Sequence, residues 1–123
     1  MSYVLIVDDQ IAIRRLIRIA LGSQFSIVEA EDGVAAIRAI RRYHPEIVML
    51  DVMMPGDIDG LQVLDAIKSD PLISSTVVAM LTARGQMAER DDALKRGADA
   101  YFIKPFSPAQ VSRWVKERLR VDA

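Results

Sequence analysis

The stretch Ile47-Val48-Met49-Leu50-Asp51 runs four large apolar residues into a single carboxylate. It shows no polar alternation. A strand covered on both faces reads this way, because every side chain meets a layer of protein rather than water. Four other short apolar runs share this character, at Tyr3–Val7, 25–30, 76–81 and Ala100–Ile103. Longer segments with helical spacing lie between them. In residues 10–21, Ile13, Leu16, Ile17, Ala20 and Leu21 form one face, with Arg14, Arg15 and Arg18 opposite. Asp32 is placed to cap a second helix reaching to about residue 42, with Ala36, Ile37 and Ile40 inward. A third helix covers residues 59–69, with Leu61, Val63, Leu64 and Ile67 as core candidates. A fourth covers 86–96 and stops at Gly97, a good terminator. The fifth has Ser107 as cap and Pro108 as its first helical residue, and then repeats Val111, Val115 and Leu119 every four residues.

This is a β-α pattern repeated five times with short connections. Parallel strands joined by helices require right-handed crossovers. The expected fold is therefore α/β, a doubly wound five-stranded parallel sheet with helices on both faces. The 123 residues suit one domain spanning residues 1–123, with no repeat or linker. Sixteen basic residues nearly balance seventeen acidic ones, so composition argues for neither nucleic-acid nor membrane affinity. The absence of cysteine excludes disulfides, thiolate nucleophiles and cysteine-bound zinc. The first apolar run lacks a basic leader and is cut short by Asp8-Asp9, and no stretch has the length of a membrane span. A cytoplasmic location is the expectation.

Open parallel sheets bind ligands beyond the carboxyl ends of their strands. There the sequence places Asp8 and Asp9 after the first strand, Asp51 after the third, Thr82 after the fourth and Lys104-Pro105 after the fifth. Carboxylates about 4 Å apart repel by roughly 4 kcal/mol at an effective dielectric near 20, so a cation is expected among them. An all-oxygen donor set favours a hard ion, magnesium first and manganese second. Aspartate is a competent nucleophile toward phosphorus, and a lysine, a hydroxyl and a metal can share the charge of a transferring phosphoryl group. Each residue alone has a plainer reading. Asp8-Asp9 could cap the next helix, Asp51 could belong to a turn, Thr82 could merely end a strand, and Lys104 could be solvated. The joint pattern, at the ends of four separate strands, is what carries specificity.

At these positions the sequence strongly resembles the receiver domains of two-component response regulators. The likeness rests on Val4-Leu5-Ile6-Val7-Asp8-Asp9, Ala30-Glu31-Asp32-Gly33, Met49-Leu50-Asp51-Val52-Met53-Met54-Pro55-Gly56, Leu81-Thr82-Ala83 and the run from Gly97 to Phe106 that holds Tyr101, Lys104 and Pro105. It covers essentially the whole chain. The resemblance implies a flavodoxin-like sheet of order 2-1-3-4-5 and Asp51 as phosphoacceptor. Asp9, Asp51 and the Met53 carbonyl would bind the metal, with Asp8 assisting. Lys104, Thr82 and the Ala83 backbone N–H would contact the phosphoryl group. Thr82 and Tyr101 would form the switch, and the Lys104–Pro105 bond would be cis. Met53 and Arg84 hold positions that influence hydrolysis in similar domains. The implied donor is a sensor histidine kinase or a phosphotransfer protein. The implied output is a downstream protein target read by the face of helix 4, strand 5 and helix 5, in a monomer or a weak phosphorylation-promoted dimer. Trp114 on the fifth helix is either a residue covering the core edge or an interface anchor.

One departure is the loop Met54-Pro55-Gly56-Asp57-Ile58-Asp59-Gly60, one residue longer than the family's usual spacing. Asp57 and Asp59 are read as solvated or capping acids rather than ligands. His44, the only histidine, sits before Pro45 and is an improbable ligand. The basic helix faces are read as solvated, and Met49, Met53, Met54 and Met80 as core or near-core residues. Three other identities share part of this pattern. The chain could be the receiver half of a longer regulator with a DNA-binding or enzymatic output domain, although the short tail Val121-Asp122-Ala123 fits a stand-alone protein. It could be an aspartyl-phosphate phosphohydrolase, which would want an acid where Met53 stands. It could be a flavin carrier, which would want a hydroxyl-rich loop where Asp8-Asp9 stand. A switch that turns over no external substrate is preferred to all three.

Overall fold

The computed structural model describes residues 3–83 and 87–119. Five strands alternate with five helices: β1 Tyr3–Val7, α1 Ile11–Leu21, β2 Ser26–Ala30, α2 Gly33–Tyr43, β3 Ile47–Asp51, α3 Gly60–Ser69, β4 Val77–Thr82, α4 Met87–Lys95, β5 Ala100–Ile103 and α5 Pro108–Arg118. A short 3-10 turn, Gly22–Gln24, follows α1. The strands are all parallel, in the order β2-β1-β3-β4-β5. This is the expected doubly wound, flavodoxin-like sheet. Arg84, the expected first residue of the fourth helix at position 86, and the tail Val121-Asp122-Ala123 lie outside the described residues.

Successive side chains of a strand point to opposite faces. Leu5, Val7, Val48, Leu50, Val78 and Met80 accordingly pack with α2, α3 and α4, whereas Val4, Ile6, Ile47, Met49, Ala79 and Leu81 pack with α1 and α5. The two apolar layers explain why β3 shows no alternation, for all five of its residues are buried.

Local signals set the helix ends. The Asp32 carboxylate accepts the Ala35 N–H to cap α2, and Ser107 caps α5 through Gln110 with Pro108 at its first position. Asp59 and Gln62 form a capping box at α3, each satisfying the other's backbone donor. Asp59 is thus a cap, and Asp57 is exposed. His44 closes α2 in a left-handed conformation, φ 48°, with its side chain exposed.

Three expectations need correction. Leu16 is 39% exposed, because the buried stripe of α1 runs through Ile13, Ile17 and Leu21 and the helix is covered by α5 on one side only. Arg14 does not face solvent opposite that stripe. It turns over β2 to bond Glu29 at 2.8 Å, and Arg18 joins it there, so these two arginines are not simply solvated. Met53 is 53% exposed rather than part of the core, whereas Met49 and Met80 are fully buried. The lengthened loop is pinned by Ile58, which packs on the α2–α3 side of the core. A Cβ on Gly33 would meet the Ile58 carbonyl at 2.5 Å, so glycine is what lets the loop lie this close to α2.

Candidate functional site

Register brings the acids together. Val7 pairs with Leu50, Asp51 with Leu81 and Thr82 with Ile103. Asp8 is therefore level with Asp51, and Lys104 follows just beyond the last pair. Carboxylate oxygens of Asp8, Asp9 and Asp51 all lie within 4.8 Å of one another. Asp8 is fully buried, Asp51 nearly so, and Asp9 is exposed.

Asp8 is held from every side. Its N–H donates to the Ala30 carbonyl, Oδ1 accepts the Gln10 N–H at 2.8 Å, and Oδ2 accepts the Lys104 ammonium at 2.7 Å. Its carbonyl accepts Arg14 Nη1 at 2.7 Å. Arg14 was not among the expected site residues. Its contact joins the first turn of α1 to the strand end, and no local pattern marks it. The carboxyl of the Arg14 and Arg18 partner, Glu29, would be raised by burial alone; their hydrogen bonds and charges hold it below its ordinary range instead.

Asp51 Oδ1 accepts the Met53 N–H at 3.3 Å and lies 3.5 Å from Lys104 Nζ. No described residue donates to Oδ2. Burial and then the charge of Asp8 push the Asp51 carboxyl up to about 6, against the opposing pull of Lys104 and the Met53 N–H. Its backbone is crowded: a Cβ on Gly60 would lie 2.0 Å from the Asp51 carbonyl oxygen. Gly60 thus lets α3 begin directly against the central acid.

Thr82 ends β4, fully buried, and Ala83 follows it at the surface. Lys104 N–H donates to the Thr82 carbonyl, and the Lys104–Pro105 peptide bond is cis. Tyr101 is half-buried on β5. The hydroxyls of Thr82 and Tyr101 both donate to Glu89 Oε1, at 3.2 and 2.9 Å. Glu89 is a second residue the sequence did not single out. Trp114 is half-buried, edge-on to Phe102 with ring centroids 5.9 Å apart, and the Arg118 guanidinium lies over its ring. It covers the edge of the α1–α5 core.

The donor set fits a hard divalent cation. Its side-chain donors are three carboxylates from two strand ends, with Asp9 open to solvent. No helix among the described residues is long and apolar enough to cross a membrane.

Comparison with known proteins agrees with this geometry. Residues 4–116 match the sequence model of the response regulator receiver domain. The transcriptional regulatory protein ResD of Bacillus subtilis is 41% identical over 118 residues, which are 95% of this chain and 48% of ResD. The chain thus spans about half the length of the curated relatives it matches. The receiver domain of a Francisella response regulator superposes with a TM-score of 0.88 at 26% identity, covering 98% of each chain. The phosphorylated cyanobacterial phytochrome response regulator RcpA gives 0.80 at 28% identity, covering 95% of this chain and 90% of its own. The family match, the acidic cluster and the sheet order agree: the chain belongs to the response regulator receiver domain family.

Proposed function

We propose that the protein is a signalling switch that takes a phosphoryl group onto Asp51 from a phosphohistidine on a kinase or phosphotransfer protein. The observation that carries this reading is the meeting of three carboxylates within 4.8 Å around Asp51, with one ammonium 3.5 Å away. Asp51 Oδ2, which no described residue engages, attacks the phosphorus. The P–N bond breaks, its electron pair leaves on the imidazole nitrogen, and an acyl phosphate remains on Asp51. Oδ1 stays oriented by the Met53 N–H. Lys104 moves its charge from Asp8 toward the phosphoryl oxygens, and Thr82 and the Ala83 N–H supply further donors. Asp8, Asp9, Asp51 and the Met53 carbonyl would hold magnesium, or manganese, which when bound neutralises charge on the oxygens in transfer. Water later attacks the phosphorus, and carboxylate and inorganic phosphate are released.

The output is conformational. A phosphoryl group adds nearly two negative charges and three acceptors, which favour one arrangement of Thr82 and Tyr101 over another. The face of α4, β5 and α5 then presents a different surface to a downstream protein. RcpA has been seen phosphorylated, a precedent within the family. The setting is cytoplasmic, with no direct contact to nucleic acid by this domain. A second reading has the same chemistry: the chain is the receiver half of a longer regulator, favoured by its covering 48% of ResD. The full open reading frame decides between them.

The test is intact-protein mass after incubation with magnesium and a small acyl-phosphate donor, with Asp51→Asn as control. One added phosphoryl group, absent in the variant and without metal, is the expected result. No adduct, together with no binding of beryllium fluoride, overturns the reading.

A further inference from the structure

Strand alternation places Met80, Thr82 and Tyr101 on the sheet face covered by α4, and Met80 pairs directly with Tyr101. One carboxylate oxygen of α4 reaches both hydroxyls there, Glu89 Oε1, at 3.2 Å from Thr82 Oγ1 and 2.9 Å from the Tyr101 oxygen. The helix carrying that oxygen is otherwise weakly held. Ala93 is the only buried residue of Met87–Lys95, and the large apolar residues Met87 and Leu94 are exposed. Just beyond the carboxyl end of α4, Arg96 bonds Asp65 of α3 at 3.0 Å. Nearer the amino end, Glu89 bonds Thr82 of β4 and Tyr101 of β5.

A threonine hydroxyl has one hydrogen to donate. Thr82 can give it to Glu89 or to a phosphoryl oxygen on Asp51, not to both. The tyrosine hydroxyl is limited in the same way. We infer that Glu89 is a positioning residue, a latch that holds Thr82 and Tyr101 in the resting arrangement and sets how much phosphoryl binding must overcome to free the amino end of α4. The inference rests on the phosphoacceptor reading of Asp51 and specifies its regulation. Engagement of Thr82 by the phosphoryl group withdraws one of the two bonds, and rotation of Tyr101 withdraws the other. With those two bonds gone, the Glu89 carboxylate faces a second anionic group across the β4 end, and α4 yields because little apolar surface holds it.

The full chain tests this, with Glu89→Ala, Glu89→Gln and Tyr101→Phe variants whose folding is checked by circular dichroism. Beryllium fluoride affinity at fixed magnesium is read by calorimetry. Removing the latch should raise it about tenfold in Glu89→Ala, as expected when a binding-competent minor state becomes the main one. Glutamine keeps an acceptor oxygen, so Glu89→Gln should stay within about threefold of wild type. Adding Tyr101→Phe to Glu89→Ala should produce no further gain. Equal affinities in wild type and Glu89→Ala overturn the latch, as does a Glu89→Gln variant that behaves like Glu89→Ala. A separate readout needs no phosphoryl mimic: in the metal-free protein, Glu89→Ala should move the Tyr101 ring resonances in NMR spectra. Unmoved resonances overturn the latch even if wild type fails to bind beryllium fluoride, an outcome that instead sinks the phosphoacceptor reading.

Discussion

Lys104 Nζ lies 2.7 Å from Asp8 Oδ2 and 3.5 Å from Asp51 Oδ1, so in the resting protein the lysine is chiefly the partner of Asp8. Asp8 is fully buried, and no other cation of the described residues bonds its carboxylate. Lys104→Met should therefore leave an uncompensated buried charge and destabilise the metal-free protein by about 3 kcal/mol. Urea unfolding measures it. Magnesium should recover part of the loss by replacing the missing positive charge.

Asp51 should make the metal-free protein less stable as pH rises. Its carboxyl is raised from 3.8 to about 6 on folding, so the folded state holds its proton more tightly than the unfolded one. The contribution is intact below pH 4 and is lost as pH climbs through 6, a change of about 3 kcal/mol. Asp51→Asn removes that dependence. The variant should exceed wild type in metal-free stability at pH 7 by this order, and the two should converge toward pH 4. Thermal or urea unfolding across that range, with chelator present, checks it.

Gly60 should tolerate no side chain. With a Cβ only 2.0 Å from the Asp51 carbonyl oxygen, Gly60→Ala must push apart α3 and the end of β3. A loss of about 3 kcal/mol is expected, together with at least about a tenfold slower phosphorylation because the nucleophile is displaced. Gly56→Ala is the control. Its φ of 96° is strained for alanine but its Cβ would meet nothing within 4 Å, so about 1–2 kcal/mol is expected with phosphorylation intact.

Arg14 should support both fold and site. Arg14→Met removes the bond to the Asp8 carbonyl and one of the two arginine contacts to Glu29. About 2 kcal/mol of stability should go with them. The Glu29 carboxyl should rise toward its ordinary range, visible by NMR titration, while Arg18 still holds it partly down. Glu29 lends stability above its unfolded value and loses it as pH falls through the lowered one, so this variant should be less sensitive to acid than wild type.

How far these features could be read in advance follows from where their causes lie. The strands were legible because burial on both faces leaves an uninterrupted apolar run, as in Ile47–Asp51. Asp8, Asp51, Thr82 and Lys104 were legible because each follows such a run, and parallel register aligns the ends. Asp32, Asp59 and Ser107 were legible as caps because capping acts within one turn. Arg14 and Glu89 were not, since their partners are tertiary. The Glu29 that turns Arg14 away from solvent lies on another strand, and Tyr101 lies twelve residues beyond Glu89. Leu16 misled for a related reason. Helical spacing defines a candidate face, but the neighbouring element decides how wide a stripe of it is covered.

The alternation of the strand side chains has a mechanical consequence. The two apolar layers, one under α1 and α5 and one under α2, α3 and α4, have a sheet a single backbone thick between them. Along most of its length that sheet insulates one layer from the other. At its carboxyl edge the insulation ends, because Asp8 takes Arg14 from the first layer's helix while Asp51 has α3 of the second against its backbone. Each layer therefore has its own route to the acidic cluster, the first through Arg14 to Asp8 and the second through the start of α3 to Asp51.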